Sequence, residues 1–432
     1  MRRFLSLMLV IALTLALSTA ALGETQLRVW TFLDPNKETD GRCQSLAQLI
    51  KMYEEKYPDV KIVVEPQQWD TMSAKFFAAH MTGDAPDIIW INGQDLGQAI
   101  TLGSLEPFEN MFMKDWTQAQ KDDIDSVLFR YGATEDKHYQ VHISADCFGI
   151  LYRADLFEKY GIDPNFKSWD ELEAAAKQLT FLDETTGMQV WGLGTGYSEE
   201  NAASFYLLAA LLSNQGDFLN EDGSANWAND VGAAALQHQI DMIDTLGITP
   251  ETALTSSSGE DVYTDFAAGK YAMAFGGTNR IPSIRAQCVF DPAAVKLMPY
   301  PDIDGQTGKA AVSGWNVGVW SGGKHKEEAG RFVEMLASPE MDEIWVTVGK
   351  QVPILKSTAD KLKDVLSQPE YAHLAVGSDI LQNHAFIYNA AFSINGFKAD
   401  LARTMQLAYV EKKPVAEALA ETAQSFDERN LG

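Results

Sequence analysis

The stretch Pro86–Ile91, PDIIWI, is a compact apolar run between a turn signal, Gly83-Asp84, and a polar residue, Asn92. A compact apolar run of this kind is what a strand covered on both faces requires. Working outward, LRVWTF (Leu27–Phe32) reads as a short apolar strand. VKIVVE (Val60–Glu65) alternates, with Val60, Ile62 and Val64 on one side. Between the strands, CQSLAQLIKMYEEKYP places Leu46, Leu49, Ile50, Tyr53 and Tyr57 on one helical face, and Pro58 closes it. Thr71 to His80 reads as a second helix. This β-α-β-α-β order predicts a parallel α/β sheet with right-handed crossovers.

A second unit opens at FGILYRADLFEKYGID, where Phe148, Ile150 and Tyr152 alternate as a strand before a helical turn. In SWDELEAAAKQL, Ser168 and Glu171 have capping-box spacing, and Leu172, Ala175 and Leu179 form the apolar stripe. Helical patterns then dominate (ASFYLLAALLSNQ, VGAAALQHQIDMIDTLG, DVYTDFAAGK) until YAMAFGG returns to a strand. NVGVW reads as a strand, and HKEEAGRFVEMLAS as an amphipathic helix with Ala329, Phe332, Val333 and Leu336 in register. Ser338-Pro339 restarts a helix, and the last hundred residues or so are mostly helical in pattern. No internal repeat or low-complexity linker separates these units, so lobes that share chain crossings are expected.

The chain begins MRRFLSLMLVIALTLALSTAALGETQ: a cationic start at Arg2-Arg3, an apolar stretch Phe4–Leu17 and a small-residue pattern, Ala21-Leu22-Gly23. That is the layout of a secretory signal peptide over residues 1–23, cleaved before Glu24. No cysteine stands near the cleavage pattern, so a lipid anchor is not expected. Formal net charge is −26, and −28 without Arg2 and Arg3. Such acidity repels phosphate backbones, and no basic cluster offsets it, which argues against nucleic-acid binding. With 46% hydrophobic residues there is ample material for buried cores. Cys43, Cys147 and Cys288 give neither a disulfide framework nor a zinc spacing, and three buried thiols are expected.

Catalytic and cofactor signatures are weak. GLGTGY (Gly192–Tyr197) lacks the third glycine at the spacing a dinucleotide fingerprint needs. No GxxxxGK[ST], HExxH or GxSxG occurs. His138 and His142 would share a strand face but have no third ligand nearby, so a solvated or satisfied pair is expected rather than a metal. Thr255–Asp261, TSSSGED, reads as a capping loop. No cofactor, metal or catalytic residue is assigned.

What remains is aromatic and amide residues at strand ends. Trp90 and Asn92 close PDIIWIN, Asn279-Arg280 follow AMAFGGT, and Trp315-Asn316 lie in the glycine-rich SGWNVGVW, with Gly314 beside the indole. In open α/β sheets ligands gather beyond the carboxyl ends of strands. Flat aromatic faces next to amides and carboxylates suit a sugar, whose ring stacks while its hydroxyls take directional hydrogen bonds. Within the last stretch Trp315 is the stacking candidate, and Trp320, after alternating Val317 and Val319, is structural.

Four landmarks, GDAPDIIWIN (83–92), FGILYRADLFEKYGID with SWDEL (148–172), DFAAGKYAMAFGGTNR (265–280) and SGWNVGVWSGGKHKEEAGRFVEMLASPE (313–340), occur in this order after the signal peptide. Together they resemble the extracellular solute-binding proteins of ABC sugar importers, the large cluster that includes maltose-binding protein. The resemblance implies a two-lobe α/β periplasmic-binding-protein fold of type II. Its discontinuous lobes would be joined by hinge crossings, with the ligand in the interlobe cleft and closure a hinge motion. Crossings are expected near Asp146–Tyr152, Leu297–Pro301 and Met341–Lys350. Lobe one would be 24–148 plus 299–345, and lobe two 149–298 plus 346–432.

The resemblance also implies sugar contacts at Asp34 after the first strand, Gln68 after VVE, Trp90, Asn92 and Asp95 after PDIIWI, and Asp146 before the first crossing. Tyr206 on the helix starting near Asn201 and Trp315 at its glycine-flanked position complete the set. Members often carry an aromatic after the strand of DFAAGKYAMAF; here Thr278-Asn279-Arg280 stand instead, which removes one stacking platform. The implied protein is a secreted, periplasmic or extracellular, monomeric receptor without enzymatic activity, handing a carbohydrate to permease subunits. Competing expectations are a receptor for a polyamine, peptide or glycerol phosphate, the last calling on Arg280, and a secreted carbohydrate-active enzyme, which would need a positioned acid and base.

Overall fold

A computed structural model describes residues 24–92, 95–124, 128–129, 133–134, 137–197, 203–256, 260–386 and 394–430. The segment read as a signal peptide lies outside the described residues.

The first strands, β1 (Thr25–Thr31), β2 (Val60–Pro66) and β3 (Ile88–Asn92), pair in parallel, with Leu27 opposite Ile62 and Val29 opposite Ile88. The intervening helices are Gly41–Lys56 and Met72–Thr82, the first capped by Asp40 through the Arg42 N–H and the second ended by Gly83 in the left-handed region. After a small β4 (Ala133–Thr134)–β5 (Lys137–His138) ladder, β6 (Val141–His142) joins the first sheet. The second sheet contains β7 (Asp146–Arg153), β8 (Phe181–Asp183), β9 (Met188–Gly194), β10 (Tyr271–Gly277), β11 (Val295–Met298), β12 (Ala310–Ser313) and β14 (Ala385–Phe386). Between its last two, β13 (Trp315–Val319) returns to the first sheet, whose order is β2-β1-β3-β13-β6. The sheet read as parallel is therefore mixed: β13 enters antiparallel to β3, and β6 antiparallel to β13.

Each sheet has its own core. Leu27, Val29, Leu46, Ile88, Trp90 and Phe332 belong to the first; Leu151, Leu193, Trp227, Phe275 and Phe397 to the second. The Ser168 cap forms, its hydroxyl accepting the Glu171 N–H, but the Glu171 carboxylate reaches past the cap to the Lys167 N–H at 2.7 Å, so the box is not reciprocal. Cys43 and Cys147 are buried thiols; Cys288 is only partly buried, which corrects the expectation of three. His138 and His142 stand on separate strands; His138 meets Glu109 at 2.7 Å and His142 is buried.

The chain passes between the sheets at three places. The first lies between β6 and β7, at Ile143–Ala145. The second is Gly314, between β12, which pairs with β7 through Ser313 and Asp146, and β13. It does not fall at Leu297–Pro301 as expected: β11 turns back along β7, so residues 299–313 stay with the second lobe. The third follows the helix Pro339–Thr347, where Lys350 takes a left-handed φ of 55° and Val352 bridges to Ala145. A Cβ on Gly314 would come to 2.2 Å from the Ser144 carbonyl oxygen, so only glycine lets the first two passages lie in contact.

Candidate functional site

The carboxyl edge of the first sheet faces these passages. Beyond β1 come Phe32 and Asp34; beyond β2, Gln68 and Trp69; beyond β3, Asp95. Because β13 runs the opposite way, its first residue, Trp315, lies at this same edge, in register with Asn92. Trp315 is half-buried, and its ring centroid is 4.4 Å from that of Phe32 at an interplanar angle of 44°. The Arg42 guanidinium lies 5.7 Å from the Phe32 centroid and pairs with Asp40 at 2.9 Å.

The second sheet contributes Asp146, the first residue of β7. Its Oδ1 accepts the Asn279 N–H at 3.0 Å and the Thr278 hydroxyl at 3.2 Å, which fixes the turn after β10. Burial raises the Asp146 carboxyl above the usual carboxylate range, opposed by the Asn279 N–H and the charges of Arg280 and Arg42. Arg280 is engaged with Glu260 and lies 5.5 Å from the Tyr263 ring centroid. The Asn279 Oδ1 is buried and accepts no hydrogen bond among the described residues. An acceptor left open in this way costs about 1–3 kcal/mol unless a donor arrives.

Trp315, Asp146, Asn279, Arg280 and Gly314 thus gather around the passages between lobes. Asp95 is half-buried; burial raises its carboxyl, while the Ser73 hydroxyl and the charge of Lys398, from the second lobe, pull it down. Asp34 is half-buried and holds a turn, its Oδ1 accepting the Asn36 N–H at 2.9 Å. Gln68 is exposed.

Two expected contacts are corrected. Trp90 is 0% exposed, on a central strand with both faces covered, and its indole faces the first core. Tyr206 is packed in the second core, 4.4 Å from His238 and 4.5 Å from Trp169 between ring centroids, because the helix Ala203–Gln215 turns it inward. Trp69, which the sequence reading does not single out, is 51% exposed three residues beyond β2. Its polar neighbours in QQWD were the available signal. Trp320 is structural, donating its indole N–H to His80 at 3.1 Å.

Residues 40–343, more than two thirds of the chain, match the family model described as bacterial extracellular solute-binding protein. The chain belongs to that family. Among curated relatives, a putative binding protein of Brucella abortus is 26% identical over 289 residues, 66% of this chain and 66% of that protein, just short of two thirds of its length. Among solved structures, the sugar-binding protein of Xanthomonas citri superposes with a TM-score of 0.77 at 18% identity, over 94% of this chain and 97% of that one. An ABC substrate-binding protein of Listeria monocytogenes in complex with cycloalternan gives 0.75 at 20% identity, over 94% and 99%. One from Thermotoga lettingae bound to α-D-tagatose gives 0.73 at 23%, over 94% and 99%. These likenesses establish the two-lobe fold of this solute-binding protein. Among the described residues no helix is long and apolar enough to cross a membrane.

Proposed function

We propose that this solute-binding protein is the capture component of an ABC importer, holding a mono- or oligosaccharide between its lobes and delivering it to a membrane permease. The observation that carries the reading is the pairing of an aromatic platform with open polar groups. Trp315 and Phe32 stand on one lobe's edge, while Asp146 and the unsatisfied Asn279 Oδ1 stand on the other's. A sugar presents an apolar C–H face to the indole and hydroxyl donors to the two acceptors. A phosphorylated solute is disfavoured, because Arg280, the cation it would need, is already engaged by Glu260. An enzymatic role would need a general acid and base set across a scissile bond; the site's role is read as binding.

The test is a thermal-shift screen against mono- and oligosaccharides, with polyamines, peptides and glycerol phosphate alongside. A ligand that binds only the folded state raises the melting temperature by mass action. Stabilisation by a saccharide without turnover on prolonged incubation is the expected result. Stabilisation by one of the other solutes alone, or hydrolysis of a saccharide, overturns the proposal.

A further inference from the structure

The helix Glu260–Ala267 has two working faces. Glu260 and Tyr263 turn to Arg280 beside the cleft. Asp261 and Asp265, one turn apart, line a separate hollow of about 200 Å³ with Thr195, Ser256, Thr264 and Tyr271. Thr195 and Tyr271 are only 3% and 4% exposed, and neither hydroxyl has a hydrogen-bond partner among the described residues. Tyr271 is held with its ring against Gly194, where a Cβ would come to 2.3 Å from the ring, so its phenol cannot swing away to find one.

We infer that this hollow is a second binding site, independent of the cleft, for a single neutral sugar ring. Every polar side-chain group on its wall is a hydroxyl or carboxylate oxygen, so the wall disfavours anions and offers both donors and acceptors. The carboxylates do not call for a cation: Asp265 is paired with Lys270 at 2.6 Å, and Asp261 accepts the Ser256 hydroxyl at 3.3 Å. No group of three or more acidic, histidine or cysteine side chains able to hold a metal occurs among the described residues. At about 30 Å³ per water, the volume takes six or seven waters or one small solute, and it is smaller than the usual pocket for a drug-sized ligand. Hydroxyls that both give and take hydrogen bonds match Thr195 and Tyr271, while the carboxylates accept from neighbouring ring hydroxyls.

The experiment uses the full chain and titrates D-glucose, D-galactose, D-mannose and calcium chloride separately, read by saturation-transfer NMR and by melting temperature. Wild type is compared with a cleft variant, Trp315→Ala with Asp146→Ala, and a hollow variant, Thr195→Val with Tyr271→Phe. Asp261→Asn serves in addition if the hollow variant melts early. Hexose binding that survives in the cleft variant and weakens at least tenfold in the hollow variant is expected. Hexose binding lost in the cleft variant but intact in the hollow variant overturns the inference. So does a response of the cleft variant to calcium alone, or to none of the four. The cleft reading fails on a different result: an oligosaccharide from the thermal-shift screen, too large for the hollow, binding the cleft variant as it binds wild type.

Discussion

The rings of Phe32 and Trp315 meet at 4.4 Å although 283 positions separate them in the chain, because β1 ends and β13 begins at one edge of the same sheet. Phe32 fixes the plane of the indole from one side, so the Trp315 platform is set before a ligand arrives. Aromatic pairs of this kind contribute about 0.5–1.5 kcal/mol beyond the area they bury. Trp315→Ala is expected to weaken saccharide binding at least tenfold, about 1.4 kcal/mol, with a small fall in melting temperature from the lost Phe32 contact. Titration and thermal melting of the same variant separate the roles. Unchanged affinity with a much lower melting temperature would return Trp315 to the core.

Asp146 acts on the other edge. Its carboxylate holds the Thr278–Arg280 turn, and burial already disfavours its charge. Asp146→Asn keeps an acceptor for the Asn279 N–H and is expected to fold with a melting temperature close to wild type while binding saccharide at least tenfold more weakly. Asp146→Ala leaves the Asn279 N–H unpaired and the Thr278 hydroxyl without its acceptor, and is expected to lose about 1–3 kcal/mol of stability as well. Chemical denaturation of both variants checks the difference. Normal affinity in the Asn variant would confine Asp146 to holding the turn.

Strand and helix positions were legible because hydrophobic period follows directly from which face is buried. Helix Ala203–Gln215 occupies the whole of ASFYLLAALLSNQ, and β10 the whole of YAMAFGG. Which tryptophans reach the cleft was not legible for Trp90, since a strand covered on both faces buries both sets of side chains and alternation carries no information. Tyr206 failed similarly, on a helix apolar all round. The second passage was misplaced because Val295–Met298 gives no local sign of pairing back onto β7, a contact set by a strand far away in sequence. Gly314 and Trp315 stood out because a bare indole beside glycine is a local feature.

Trp69, whose polar neighbours in QQWD are an equally local sign, stands beyond β2 at the outer strand of the first sheet. Strands β1 and β3 separate it from β13, so on the sugar-binding proposal Trp69 serves a ligand that extends past the Trp315 platform. Trp69→Ala is expected to leave monosaccharide affinity within twofold and to reduce affinity for tri- and longer saccharides at least fivefold, with no change in melting temperature because the ring is half exposed. Paired titrations with a monosaccharide and its oligomers check this. An equal loss for both would place Trp69 in the central subsite.

Asp342, on the helix Pro339–Thr347, spans the rear of the third passage. It is 1% exposed, and its carboxylate oxygens accept the Ile354 N–H at 3.1 Å and the Leu355 N–H at 3.0 Å from the second lobe's side. Beside it Asp123 receives the Ser357 N–H at 2.8 Å, so two carboxylates hold the entry to the helix Lys356–Lys361. Burial pushes the Asp342 carboxyl up to about 7; the two N–H groups oppose this and the charge of Asp123 adds to it. Because the folded form holds its proton more tightly than the unfolded chain does, this group stabilises the fold at low pH. Its contribution is lost as pH rises from about 4 towards about 7. The slope is no steeper than about 1.4 kcal/mol per pH unit. Asp342→Asn removes the titrating proton. The stability difference between variant and wild type, taken from urea melts at fixed ionic strength, is expected to shift in the variant's favour across this window and level off above it. A difference that stays flat from pH 4 to 8 would mean that Asp342 is ionised throughout and that the backbone N–H groups outweigh burial.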